Sequence, residues 1–226
     1  VYVYDADNDK ANWATYDKVL DNWTKNYLGE NPSLDKNLNK HGLSSKYNSG
    51  YSYSAEAPIK NISKPTFTFL RDTIVGNQRA ITVKIEANKN ANRIDVFASE
   101  KLKIHHLKAN GIKNINQEGS FYKRKKSNLL NYYPINNKPL TLNFQIHKDD
   151  KLDMDVMISS FDLLENPQFS IPKRPDSFIP MPFVLTDAII VKKKLRKSAP
   201  KKVEIIEKVE TAIDSLTTQK DSLETN

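Results

Sequence analysis

The chain has 226 residues, no cysteine and a formal net charge of +8, which excludes disulfides, thiolate metal sites and cysteine nucleophiles while leaving the redox compartment open. Its hydrophobic fraction is 38%, which predicts one core with long polar loops or disordered ends, and no apolar run approaches the roughly 20 residues that span a bilayer. Much of the positive excess sits in YKRKK (122–126), KKKLRK (192–197) and PKK (200–202), a distribution that argues for solvated runs and against a nucleic-acid surface.

The opening VYVYDAD alternates valine with tyrosine and suits a short strand. Asp7, Asn8, Asp9 and Asn12 then offer N-cap oxygens, and Gly29 is a natural helix terminator. Between them Trp13, Tyr16, Leu20, Trp23 and Tyr27 recur at steps of three and four. That spacing predicts one amphipathic helix over residues 11–29 with an aromatic stripe, supported by an Asp21 to Lys25 pair one turn apart. The stripe has two readings, a platform for stacking sugars or a face packed on the rest of the domain. Burial of large aromatics yields several kcal/mol and a helix this short is marginal alone, so packing is the expected reading.

Residues 30–64 show no sustained period and are rich in Asn, Ser, Gly and Lys. They read as an irregular connection over the domain surface, pinned by Tyr47, Tyr51 and Tyr53. From Pro65 the pattern changes to short β-rich runs: TFTFLRDTIV (66–75), RAITVKIEA (79–87), RIDVFAS (93–99), KLKIHHL (101–107), KPLTLNFQI (138–146), KLDMDVMIS (151–159) and PFVLTDAIIVKKKL (182–195). Ile81, Val83, Ile85 and Ala87 alternate with polar residues, as do Leu140, Leu142, Phe144 and Ile146. Seven to nine such strands without intervening helices predict a mainly β chain, an antiparallel β-sandwich over 65–197. The tail 198–226 is basic and weakly amphipathic, a helix or a disordered end.

Chemistry-bearing residues are sparse. His105 and His106 are adjacent on an expected strand, so they point to opposite faces and cannot chelate one ion together; His106 shares the parity of Leu102 and Ile104 and reads as a core histidine. Asp153 and Asp155 stand about 7 Å apart on one strand face, a spacing that raises glycoside hydrolysis. They alternate with Leu152, Met154 and Val156, which makes a solvated strand face the plainer reading. No G-x-S-x-G elbow, P-loop or G-x-G-x-x-G occurs, and there are only six glycines. Lys123, Arg124, Lys125 and Lys126, with Lys192, Lys193 and Lys194, are the candidate contacts for anionic groups such as lipid headgroups. No cofactor or metal is expected on this chain, and no catalytic residue.

The strings VYVYDADNDKANWATYDKVLDNWTKNYLG (1–29), ITVKIEANKNANRIDVFAS (81–99) and IPMPFVLTDAIIVKKKL (179–195) resemble the carboxy-terminal region of bacterial membrane-anchored zinc metallopeptidases. These belong to metallopeptidase family twenty-eight, the aminopeptidase Y-like group, related to vacuolar membrane protease and endoplasmic reticulum metallopeptidase. The resemblance covers about residues 1–192 and stops short of the tail. It implies a non-catalytic accessory domain, periplasmic and attached to the inner membrane through its parent, whose zinc and catalytic residues lie in a peptidase domain outside this sequence. The implied partners are that peptidase domain and the transmembrane helices of the same polypeptide. The opening Val1 in place of Met agrees with that expectation, and Trp13, Tyr16, Leu20, Trp23 and Tyr27 become the residues that dock membrane span and sandwich together, with contact at the lipid interface as a second role. A free-standing carbohydrate- or protein-binding β-sandwich is the competing expectation.

Overall fold

The structure is a computed structural model and describes residues 1–41, 49–87, 90–113, 117–118, 121–122 and 126–197. The expected tail, Tyr47 and the basic residues Lys123, Arg124 and Lys125 lie outside the described residues. The chain is mainly β, with two sheets packed face to face. Sheet A runs β11(Asn128–Tyr132), β6(Arg93–Ala98), β13(Met154–Ser160), β14(Ile189–Lys194), β1(Tyr2–Asp5), β2(Lys10–Thr15), β3(Tyr53–Glu56). Sheet B runs β4(Thr66–Val75), β5(Gln78–Glu86), β12(Leu140–His147), β7(His105–Ala109), β10(Phe121–Tyr122), β9(Gln117–Glu118), with β8(Ile112–Lys113) paired to β7. Among the described residues the strand pairings are antiparallel except β1 with β14.

Alternation builds the core as expected. Ile81, Val83 and Ile85 of β5 and Leu140, Leu142, Phe144 and Ile146 of β12 meet Ile94, Val96 and Ala98 of β6 and Met154, Val156 and Ile158 of β13. Each points inward because successive side chains on a strand take opposite faces. Sheet B covers only part of sheet A. Over β1, β2 and β14 the same inward face carries Tyr2, Tyr4, Ala11, Ile189 and Val191, and it is covered by Ala57 and Ile62 on one side and by Leu163 and Phe169 on the other.

Three expectations change here. First, no single helix spans 11–29. Lys10–Thr15 is a strand paired on both edges, to β1 and β3, and the helix α1 is confined to Asn22–Leu28. The expected caps Asp7, Asn8 and Asp9 form, with Ala6, the four-residue hairpin loop between β1 and β2, and Asn12 lies within β2: the carboxylate of Asp5, the last residue of β1, accepts from the backbone N–H of Asp7 at 3.1 Å and of Asn8 at 3.2 Å, since short polar side chains serve turns as well as caps. The true N-cap is Asp21, whose carboxylate accepts from Thr24 N–H at 2.6 Å, so Lys25 turns instead to Glu30 at 2.8 Å. Gly29 does close the helix, with φ +79° and its N–H on Lys25 carbonyl. Second, the sandwich does not begin at residue 65, because β1, β2 and β3 supply part of sheet A. Third, the strand expected at 101–107 starts at His105, and His106 is exposed with φ +53°. It sits in a β-bulge, where His106 and Leu107 oppose the single residue Phe144. The bulge resets the parity, so Leu107 fills the core in place of His106.

Within 30–64 the chain forms a short 3-10 turn at Lys36–Asn39 and then β3. Tyr51 is buried against Tyr16, their rings 4.6 Å apart, and Tyr53 donates to Lys18 carbonyl at 3.1 Å. Asn110 and Gly111 form the two-residue loop of the β7–β8 hairpin, both at positive φ, the arrangement that Asn-Gly favours. Gly111→Ala places a Cβ at φ +82° and is expected to cost about 1 kcal/mol; a urea midpoint at or above that of the parent chain would contradict the turn assignment.

Candidate functional site

The aromatic residues singled out in the sequence gather at one end of sheet A, where β1 begins and β2 ends. Trp13 projects from the inward face of β2, and Trp23 and Tyr27 project from α1. Their rings form a continuous chain: Tyr2 to Trp13 at 5.3 Å, Trp13 to Tyr27 at 5.2 Å and Tyr27 to Trp23 at 5.6 Å, with Phe169 against both Tyr2 and Trp13 at 4.7 and 5.9 Å. The pairs are tilted or edge-to-face, the favourable arrangement for ring quadrupoles. Tyr16 leaves the strand on the opposite face and packs on Tyr51. Leu20 is half-buried in the link between β2 and α1 and does not join the ring chain. A helical stripe is thus replaced by a strand, a link and a short helix folded back on it, and Trp13, Tyr16, Trp23 and Tyr27 still line one cleft.

The opposite wall of the cleft comes from 171–187, through Ile171, Phe178, Ile179, Met181 and Leu185. Arg174 clamps this wall to the helix. Its guanidinium lies 4.9 Å from the Trp23 ring and makes a two-pronged pair with Asp187, one prong at 2.9 Å, and Trp23 Nε1–H donates to Pro172 carbonyl at 3.3 Å. The polar groups at the cleft are engaged: Asp21 caps α1, Asp187 holds Arg174, and Asp17 accepts from the Thr15 hydroxyl at 2.8 Å. What the cleft offers a visitor is therefore mainly apolar, including Ile179, 87% exposed at its rim. Its free volume is only about 80 Å³, because the rings fill it with one another. A sugar platform requires flat ring faces turned to solvent; here Trp13 has neighbours on three sides, which favours packing over stacking.

Among the described residues, the basic candidates do not share one face. Lys192 reaches Asp5 at 3.5 Å, while Lys193 points to the other face, donating to Pro65 carbonyl at 2.9 Å with its ammonium 5.2 Å from the Phe67 ring. Strand alternation separates Lys193 from its neighbours. Lys194 is exposed, and Lys126 is exposed near the start of β11.

Two polar groups escaped the sequence reading. Asp155, expected on a wet face, is 3% exposed, and His41 Nε2 lies 2.6 Å from its Oδ2. Asp153, by contrast, is exposed just before β13. On the same outward face of sheet A, Asp95 is fully buried and accepts from Arg93 Nε and Nη2 at 2.9 and 2.6 Å and from Asn131. Central strands β6 and β13 are covered on both faces, so a polar parity no longer means solvent. Among the described residues, no group of three or more His, Asp or Glu side chains is placed to hold a metal ion.

Comparison with protein-family models, with curated proteins and with solved structures finds no match for the chain.

Proposed function

We propose that this chain is a non-catalytic extracytoplasmic accessory domain of a membrane-bound zinc-dependent aminopeptidase, and that the aromatic cleft fixes its orientation on the rest of the polypeptide. One observation carries the reading. Two of the three strings that resemble the metallopeptidase family, 1–29 and 179–195, lie far apart in sequence but pair as β1 and β14 and face each other across the cleft through Trp13, Trp23 and Tyr27 on one side and Ile179, Met181 and Leu185 on the other. The third, 81–99, supplies β5 and β6 of the core beneath. Val1 lies on the cleft wall, its amino nitrogen donating to Ala14 carbonyl at 2.8 Å. In this role the domain supports the peptidase domain or restricts which substrates reach it, and zinc belongs to that other domain.

Reading the coding sequence upstream of Val1 tests the proposal. The expected result is several apolar spans preceded by a domain bearing His, Asp and Glu zinc ligands. A start codon or a plain signal peptide directly before Val1 would overturn it in favour of a secreted binding module.

A further inference from the structure

An apolar groove of about 290 Å³ opens at the far margin of the sandwich, between the edge strand β11 of sheet A and the β7–β8 hairpin of sheet B. A β-bulge builds its floor. Asn128 and Leu130 oppose the adjacent residues Phe97 and Val96, so Leu129 is the extra residue and both leucines turn to the inward side. Leu107 and Ala109, alternate residues of β7, meet them from the other sheet. Tyr132 and Ile112 complete the walls, and Ile112 is 75% exposed. In sheet A, β6, β13 and β14 separate β11 from β1, so the groove is a different place from the aromatic cleft.

The net charge of the chain belongs to the segment that builds this margin. Of 35 Lys and Arg and 27 Asp and Glu, residues 101–138, which supply β7 to β11, hold nine and one; the other 26 of each sign cancel, so the whole formal excess of +8 lies in this segment. Lys113 lines the groove, and Lys108 is its direct partner in the β7–β8 ladder. Like charges so placed repel, and neither lysine has a carboxylate partner among the described residues. The other polar side chains of the groove are engaged. Asn110 Oδ1 accepts from Thr141 N–H at 2.7 Å, and the Tyr132 hydroxyl donates to Lys138 carbonyl at 3.2 Å. What stays open is an apolar trough with an unpaired ammonium on its wall, and its complement is an alkyl chain that ends in an anion. A cationic amphiphile would meet Lys113 and Lys108, and a nucleic acid would use the charge but leave the leucines uncovered. The volume sits at the small end of ligand sites, about 300–1,000 Å³, which suits one alkyl chain better than the two of a phospholipid.

We propose that the groove between β8 and β11 binds a long-chain carboxylate, its alkyl chain against Leu107, Leu129 and Leu130 and its carboxylate at Lys113. This site and the accessory-domain reading rest on different residues and fail independently. The test is isothermal titration calorimetry of the whole chain at pH 7.5, where carboxylates are ionised, with octanoate, decanoate and decyltrimethylammonium below their micelle concentrations. The expected result is saturable one-to-one binding of decanoate, tighter than octanoate by about fourfold for each added methylene that enters the groove, and no binding of the cation. Two exposed substitutions place the site without touching the core: Lys113→Glu is expected to weaken decanoate several-fold and to admit decyltrimethylammonium, and Ile112→Asn to weaken decanoate alone. No saturable binding of decanoate, an equal response to the two amphiphiles, or decanoate affinity unchanged in both variants overturns the proposal. Binding of phosphatidylglycerol vesicles or of a single-stranded oligonucleotide, with none of decanoate, overturns it in favour of a bilayer or nucleic-acid surface.

Discussion

Trp13→Ala lowers the unfolding free energy by about 3 kcal/mol, read as a fall in urea midpoint at unchanged slope. Trp13 is the ring on which the cleft is built, touching Tyr2, Tyr27 and Phe169. Beyond the area it buries, each aromatic pair adds about 0.5–1.5 kcal/mol. The strand beneath it cannot collapse into the space left, because β2 is tied to β1 and β3 by ladders on both edges. Trp23→Ala is expected to cost less, about 1 kcal/mol: its ring is half-buried at the mouth and is engaged by Tyr27, Arg174 and Pro172. A Trp23 variant less stable than the Trp13 variant would move the anchor from the strand to the helix and contradict the packing described here.

Arg93→Leu costs about 3–5 kcal/mol at neutral pH, the penalty for leaving a buried charge without its partner. Asp95 has no solvent exposure, and burial raises its carboxyl above the ordinary carboxylate value even against the hydrogen bonds and charge of Arg93 and the hydrogen bond of Asn131. A carboxyl with a raised folded-state pKa contributes stability that is fully present below its unfolded value and is lost as pH rises through the folded one. Removing Arg93 removes the main opposition to that rise. The variant is therefore expected to lose stability progressively as pH increases above about 4, more steeply than the parent chain. Replacing both residues, Arg93→Leu with Asp95→Leu, is expected to recover most of the loss, since an apolar pair leaves no buried charge. A single variant with a flat pH profile and no rescue by the double change would contradict a buried, partner-dependent carboxylate.

These two sites also mark where the sequence is readable and where it is not. The strands β5 and β12 follow directly from alternation, because each has one core face and one wetter face. In contrast, β6 and β13 are covered on both sides, and Asp95 and Asp155 then sit at positions whose polarity suggests water while the fold supplies an arginine and a histidine. Those partners differ in distance along the chain: Arg93 is two residues away, His41 is 114 residues away. The first pairing was accessible to strand parity; the second was not.

The N-terminal segment misleads for a different reason. Trp13, Tyr16, Trp23 and Tyr27 fit a 3.6-residue period by spacing alone, yet Lys10–Thr15 satisfies its backbone through β1 and β3. Asp21, which the spacing pairs with Lys25 inside a helix, starts that helix as its N-cap. Asn110–Gly111, which the strand runs pass over, closes the β7–β8 hairpin at positive φ. The far wall of the cleft, with Ile171, Arg174 and Asp187, lies in a proline-bearing loop with no period, and only the tertiary fold brings it to Trp23.

The most direct test of the proposed docking role is photo-crosslinking from position 179, at the exposed rim of the cleft, in the full-length gene product in intact cells. The predicted result is a crosslink within the same polypeptide, to its membrane-spanning or peptidase portion, that weakens when Trp23 is replaced by alanine. Crosslinks found only to separate molecules, unchanged by that substitution, would contradict an accessory domain held to its parent through the aromatic cleft.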